Sequence, residues 1–284
     1  MCRIAAYLGP SIQISELVTK PKHSIIHQSY HSQERSDPLN GDGAGIAWFA
    51  PEFTSRPALF KDVTPAWCNE NLLELAQVVS SPCIFAHVRA ASPHSPVHRL
   101  NCHPFAHKNL AFMHNGLLGG FLGYKRRLQQ GLSEEAYNAI LGSTDSEHAF
   151  AVLIDHYNRR VDSDPGLRLL ESMQSTLQDL EALRAASGSD EPSAYNFAVS
   201  DGSCIVASRY ASPESIVPAS LHYATARVLY LAGGHYQLEE EGDHNLVLIA
   251  SEQLSSSGAW CTVDPGRLLL ARDGRVELIP VRIR

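Results

Sequence analysis

Apolar positions come in two rhythms along this chain, short runs of strand length and stripes at helical spacing. The run Arg3-Ile4-Ala5-Ala6-Tyr7-Leu8 predicts a short strand that Gly9-Pro10 ends. A polar stretch continues to Asn40. Gly41-Asp42-Gly43-Ala44-Gly45 then reads as a glycine-rich turn feeding a strand at Ile46-Ala47-Trp48-Phe49. Leu72, Leu73, Ala76 and Val79 share one face of a helix that begins near Asn69. Residues 83–88 and 110–113 read as buried strands. Ser133 caps one following helix. A second starts around Thr144-Asp145, with Phe150, Leu153, Ile154 and Tyr157 on its apolar face. Residues 164–186 form the clearest helix. Asp164 is its cap, Pro165 its first turn, Leu170, Met173, Leu177 and Leu180 its core stripe, and Gly188 its stop.

The remainder is strand-rich, with runs at 195–200, 203–209, 226–231, 246–250, 267–271 and 276–283. Asp201-Gly202 and Asp273-Gly274 fit hairpin turns. Residues 187–192 are the most linker-like, but strands continue beyond them. Many antiparallel strands with a few amphipathic helices predict a layered α+β fold, helices covering packed sheets.

Composition narrows the function. With 284 residues, 44% hydrophobic and 19% charged, the chain is globular and long enough for a full core. A formal charge of −7 argues against nucleic acid or a membrane surface as partner. No apolar run approaches the ~20 residues of a membrane span, and the first residues are too short and weakly basic for a signal peptide. A cytoplasmic location is expected. Cys68, Cys83, Cys102, Cys204 and Cys261 are scattered and form no C-x-x-C pair, so they suggest neither a zinc site nor a disulfide framework.

Cys2 differs because of its position. Methionine is removed before a small second residue, which would leave Cys2 with a thiol and a free α-amine on one carbon. The amine, with a pKa of about 7.7–8.0, can take the thiol proton, and the thiolate is a strong nucleophile. A cysteine at position two is often incidental, so the inference needs support elsewhere. Four pieces supply it. Asn40-Gly41-Asp42-Gly43-Ala44-Gly45 lets backbone approach a neighbour or a substrate, or is an ordinary turn. In His87-Val88-Arg89-Ala90-Ala91-Ser92, an arginine ends an apolar strand. It is suited to grip a carboxylate with paired hydrogen bonds, unless it simply faces water. In His114-Asn115-Gly116, the Asn amide and the glycine N–H can form a two-donor oxyanion hole, although Asn-Gly is also the commonest hairpin turn. In Gly142-Ser143-Thr144-Asp145-Ser146-Glu147, Asp145 can hold an ammonium group or cap a helix.

Taken in order with Asn101-Cys102-His103-Pro104-Phe105, Asn196-Phe197-Ala198-Val199 and Ala250-Ser251-Glu252, these motifs resemble the class II glutamine amidotransferases across most of the chain. The pattern looks closest to a small stand-alone branch, that of the glutamine-amidotransferase-like component of the fungal glutathione-degrading complex. Bacterial γ-glutamyl hydrolases of ergothioneine synthesis look more distant. The resemblance implies one glutamine amidotransferase type-2 domain over residues 1–284, folded as an αββα N-terminal-nucleophile sandwich of two antiparallel sheets. It implies that Cys2 attacks the δ-carbonyl, that Asn115 Nδ2 and the Gly116 N–H hold the oxyanion, and that Arg89 and Asp145 bind the α-carboxylate and α-ammonium. It places Ser92 beside the substrate too, although Ser92-Pro93 stands where synthase-fused relatives carry Thr-His, and Pro93 has no backbone N–H. Ser251-Glu252-Gln253 replaces a Ser-Glu-Pro common in the branch. His103 is expected to be structural. No cofactor and no metal are implied.

The motifs take up nearly the whole chain, leaving no room for an acceptor domain. The expected reaction is hydrolysis of a γ-glutamyl amide, in glutathione, another γ-glutamyl peptide or glutamine, through a glutamyl thioester. The alternative is a glutaminase subunit that delivers ammonia to a separate synthase chain. A peptidase or synthase subunit is the partner that these readings allow. A non-catalytic binding protein is disfavoured by the joint presence of Cys2, Arg89, Asn115 and Asp145.

Overall fold

Alternation along each strand sends side chains to opposite faces, and here it sorts them into three apolar layers around two antiparallel sheets. The structure is a computed structural model describing residues 2–34, 39–92, 95–161, 164–232, 235–239, 242–255 and 260–283. The first half holds β1 (Arg3–Gln13), α1 (Ser15–Val18), α2 (Ile25–Gln28), β2 (Ala44–Trp48), β3 (Ala58–Asp62), α3 (Glu70–Val78), β4 (Ser80–Val88), β5 (Phe105–His107), β6 (Leu110–Leu117), α4 (Phe121–Gln130) and α5 (Glu134–Asn138). The second half holds α6 (Asp145–Arg159), α7 (Pro165–Ser187), β7 (Ser193–Ser200), β8 (Ile205–Arg209), β9 (Ala211–Ser212), β10 (His222–Ala226), β11 (Val228–Ala232), β12 (His235–Glu239), β13 (Leu246–Ala250), β14 (Cys261–Thr262), β15 (Arg267–Arg272) and β16 (Arg275–Pro280).

One sheet runs β14-β10-β13-β1-β4-β2-β3 and the other β16-β15-β8-β7-β6-β5, with β9 beside β7. Ile4, Ala6 and Leu8 of β1 meet Ala111 and Met113 of β6 in the layer between the sheets. Ala5 and Tyr7 face the other way, into the layer covered by α1, α2 and α3. Leu110 and Phe112 of β6 likewise pack outward against α4, α6 and α7. The result is the αββα sandwich that was expected.

Several helices begin where the sequence places them. Asn69 caps α3, Ser133 caps α5 and Asp164 caps α7, which Gly188 ends in the left-handed region at φ 69°. The Asp273-Gly274 hairpin has positive φ at both residues, 49° and 69°, as a tight turn between twisted strands needs.

Four expectations are corrected. β1 does not stop at Gly9-Pro10 but continues to Gln13, with a register shift against β4 between Leu8 and Ile12. A bulge tolerates the missing Pro10 N–H, and a Cβ at residue 9 would lie 2.6 Å from that of Leu246 on β13. The polar stretch before Asn40 carries the one-turn helices α1 and α2, too short to show a period. α4 was not anticipated, because its first residue follows Gly120 with no side-chain cap. The run at 226–231 is divided at Arg227, so that β10 belongs to the large sheet while β11 pairs with β12.

Candidate active site

Position two continues the series Ile4, Ala6 and Leu8, so alternation turns Cys2 toward the inter-sheet layer at the open end of β1. The residues that follow it are fixed. Arg3 is buried on the opposite face, with Nε 2.5 Å from Glu252 Oε1. Glu252 also accepts from Ser32 Oγ at 2.6 Å and from the Gln33 N–H at 3.0 Å. Arg3 Nη1 donates to the Cys2 carbonyl at 3.1 Å. The Ile4 N–H donates to Ser251 Oγ at 3.1 Å, and the Ser251 N–H returns a bond to Ile4 O at 3.0 Å. Ser251-Glu252, which enters the sequence reading only through resemblance, therefore clamps the residues after the nucleophile.

The Cys2 thiol is half-buried and lies 3.6 Å from Ala90 O. Burial pushes its pKa up, while the Ala90 backbone and the charges of Arg89 and Arg3 pull the other way. A thiol held above its ordinary range needs a base to release its proton. Met1, on whose removal a free α-amine depends, lies outside the described residues.

Asn115 and Gly116 do not form a hairpin turn. β6 runs through both, and they pair with Asn196 and Tyr195 of β7. Asn115 follows Ala111 and Met113 on the inner face and is 0% exposed. Neither its Oδ1 nor its Nδ2 has a hydrogen-bond partner among the described residues. A buried amide without partners is costly, so this one is poised for a group that the protein does not itself provide. At Gly116 a Cβ would lie 2.0 Å from Ala194 O and 2.5 Å from His114 Nε2. Only glycine fits that crossing.

Asn40-Gly41-Asp42-Gly43 meets the end of β4. The Asp42 N–H donates to Arg89 O at 3.1 Å, and the Arg89 N–H to Gly43 O at 2.8 Å. Asp42 Oδ2 accepts from the Ala91 N–H at 2.8 Å. These bonds hold residues 89–92 beside Cys2. The Arg89 side chain is buried rather than solvated, donating to Ser95 Oγ at 2.8 Å and Pro96 O at 3.2 Å. It pairs with no carboxylate among the described residues. Asp145 is not the cap of α6, since Thr144 Oγ1 takes that role by accepting from the Glu147 N–H. Asp145 instead accepts from the Leu118 N–H at 2.8 Å and the Ser146 N–H at 2.7 Å, tying α6 to the end of β6.

Cys2, Ser92 and Gly116 line one cleft of about 720 Å³, along with Asp42, Ala90, Ala91, Ala194 and residues 216–219. Arg89, Asn115 and Asp145 lie outside that lining. Pro93 falls outside the described residues. A second hollow, about 280 Å³ among α4, α6 and α7, contains none of these groups.

Three histidines near the site were not foreseen as a set. His87, His103 and His114 are all buried, and the rings of His87 and His103 lie 4.2 Å apart. Burial lowers the pKa of His87 to about 3 and drives those of His103 and His114 down. His114 is the one with polar partners, Ser146 Oγ at 2.8 Å and Ala194 O at 2.9 Å. Neutral and enclosed, these rings pack the end of the sandwich. Only the parity of His87 with Phe85 on β4 signals this in the sequence. Among the described residues no group of three or more His, Cys, Asp or Glu is placed to hold a metal ion.

Comparison with known proteins identifies the family. Residues 17–282 match the family of class-II glutamine amidotransferases. The chain is 37% identical over 302 residues to "Probable glutamine amidotransferase DUG3" of Saccharomyces cerevisiae, covering 99% of this chain and 84% of the yeast protein. It is 28% identical over 172 residues to a gamma-glutamyl-hercynylcysteine sulfoxide hydrolase of Mycobacterium tuberculosis, covering 60% of this chain and 70% of that protein. The solved structure of a glutamine aminotransferase class-II domain protein from Silicibacter pomeroyi superposes with a TM-score of 0.67 at 25% identity, covering 99% and 100% of the two chains.

Proposed function

This chain belongs to the class-II glutamine amidotransferases, and on that premise we propose that it hydrolyses γ-glutamyl amides with Cys2 as nucleophile. The observation that carries the assignment is the pairing of Cys2 and Gly116 on one cleft with the unpartnered, buried amide of Asn115 beside Gly116 on β6. Such an amide is a donor held ready for charge that develops during reaction. The names of the yeast and mycobacterial relatives support the glutamyl part of the reading.

The mechanism follows from the residues. Once Met1 is removed, the Cys2 α-amine accepts the thiol proton, and the thiolate attacks the δ-carbonyl. Asn115 Nδ2 and the Gly116 N–H stabilise the resulting oxyanion. The α-ammonium passes its proton to the leaving nitrogen, the C–N bond breaks, and a glutamyl thioester remains. Water then attacks the thioester, the amine takes the water proton, and glutamate leaves as the thiol reforms. Arg89 binds the substrate's α-carboxylate and Asp145 its α-ammonium, and Ser92 lines the cleft.

The substrate we favour is a γ-glutamyl peptide such as glutathione, which would place the enzyme in glutathione breakdown in the cytoplasm. Six cysteines without a disulfide fit a reducing compartment. Purified protein should be assayed with glutamine, glutathione and γ-glutamyl dipeptides, with and without cell extract. Turnover by the purified chain, lost in Cys2→Ala and accompanied by loss of Met1 in the mass spectrum, is the expected result. Glutamine turnover that appears only when extract supplies another chain would favour the ammonia-delivering alternative. Full activity in Cys2→Ala would overturn the assignment.

A further inference from the structure

The cleft at Cys2 is larger and more apolar than release of ammonia requires. Its volume of about 720 Å³ falls within the ~300–1,000 Å³ of pockets that enclose drug-sized ligands. Beyond Cys2 and Gly116, its wall holds Leu39, Leu117, Ile216 and Val217, which are 64%, 45%, 39% and 78% exposed. Large apolar side chains gathered from three separate stretches of chain around one opening mark a place where apolar surface is to be covered. Among the described residues lining the cleft, no side chain carries a positive charge. The one carboxylate among those described residues, Asp42, has Oδ2 engaged by the Ala91 N–H.

The wall is held in place. The buried Arg209 donates through Nε to Ala219 O at 2.9 Å and through Nη2 to Pro218 O at 3.4 Å. Asn196 Nδ2 donates to the same Ala219 carbonyl at 2.8 Å. The Ile216 N–H closes a turn onto Pro213 O at 2.9 Å. Asn196 is also the β7 partner of Asn115, so one strand supports both the oxyanion donor and this wall.

Arg89 and Asp145, the charges suited to the glutamyl head, are absent from the lining. With the glutamyl head given to those two residues, the cleft is the space left to the leaving amine in the inference that follows. We infer that Leu39, Leu117, Ile216 and Val217 form a subsite for an apolar side chain on the leaving amino acid, so that the enzyme selects γ-glutamyl derivatives of apolar amino acids. This rests on the γ-glutamyl hydrolase reading above and adds the leaving-group class to it.

The test compares kcat/KM for γ-glutamyl-leucine, γ-glutamyl-glycine and γ-glutamyl-lysine in the parent enzyme and in Val217→Asp and Leu117→Ser. These positions are exposed, so both variants should fold. The leucine derivative should exceed the glycine derivative by roughly tenfold or more in the parent, as apolar pockets discriminate. Each variant should bring that ratio toward parity, and Val217→Asp should raise the lysine derivative relative to leucine. Equal turnover of the leucine and glycine derivatives by the parent, dependent on Cys2, would overturn the subsite and leave the hydrolase reading standing. Variants that lower both derivatives by the same factor would also overturn it. No turnover of any γ-glutamyl compound would remove both readings.

Discussion

Arg3 Nε lies 2.5 Å from Glu252 Oε1, and neither side chain is more than 3% exposed. The pair joins the residue after the nucleophile to the end of β13, and Arg3 Nη1 reaches back to the Cys2 carbonyl. Removing one charge from such a pair strands the other in a medium that cannot solvate it. Glu252→Gln should therefore cost about 3–5 kcal/mol of stability in urea unfolding. The double variant Arg3→Met/Glu252→Leu should recover much of that stability. Its kcat should stay low, because the Cys2 carbonyl has lost its donor. A loss below about 1 kcal/mol for Glu252→Gln would mean that water reaches the pair.

Asn115→Ala should lower kcat by about 10²–10³ with a smaller change in KM, the effect of losing one oxyanion donor. Stability should change little or rise, since an unpartnered buried amide is removed. A change confined to KM would move Asn115 to substrate binding. Gly116→Ala should be worse in both respects, because its methyl would meet Ala194 O at 2.0 Å. Overpacking of this kind costs about 1–3 kcal/mol or more.

Arg89→Met and Asp145→Asn should each reduce kcat/KM roughly ten- to hundredfold, because a charge-assisted contact contributes ~1.5–3 kcal/mol. The loss should be alike for glutamine and γ-glutamyl peptides, which share the same head. Substrates acetylated on the α-amine should already be poor, and Asp145→Asn should harm them far less. Equal parent activity on acetylated and free-amine substrates would reduce Asp145 to its structural bonds with Leu118 and Ser146.

Acid should destabilise the fold through its buried histidines. His87 ionises near 6.5 when unfolded and near 3 when folded, because burial disfavours the charged ring. Above the unfolded value both states are neutral and the contribution is complete. Between about pH 6.5 and 3 the unfolded chain binds a proton that the folded chain refuses, so stability falls as pH falls. Each such histidine adds a slope of up to about 1.4 kcal/mol per pH unit, and His103 and His114 shift in the same direction. Unfolding followed from pH 7 to 4 should show this steep limb, and His87→Gln should flatten it by close to one proton. A curve that is level down to pH 4.5 would refute the assignment of these rings as neutral.

Much of the architecture was legible because it is written locally. Asn69, Ser133 and Asp164 cap the helices that their side chains can reach, and the apolar stripe of α7 specifies its buried face without reference to anything distant. Short apolar runs separated by turn pairs predicted many antiparallel strands, and with the amphipathic helices they predicted layers. Position two and the spaced motifs named the family and the candidate residues. Local chemistry is ambiguous at three places, and at the first of them the reading failed. Gly9-Pro10 can end a strand or form a bulge, and the close approach of Leu246 on β13 makes it a bulge within β1. Asn115-Gly116 can turn a hairpin or continue a strand, and pairing with β7 keeps it extended. Asp145 and Thr144 can each cap α6, and the Leu118 N–H claims Asp145, leaving Thr144 as the cap.

The surroundings of the site were decided only by tertiary structure. The partnership of Arg3 with Glu252 spans 249 residues, and nothing in either local sequence announces it. His87 and His103 come from separate stretches of chain and meet at 4.2 Å only in the folded protein, whereas His114, on the other face of β6, is enclosed by α6. Leu39, Leu117, Ile216 and Val217 are unremarkable apolar residues in sequence and become one wall when Arg209 and Asn196 fix the loop that carries two of them. Capping and periodicity depend on neighbours a few residues apart, whereas burial, desolvation and charge pairing depend on which distant segments exclude water together.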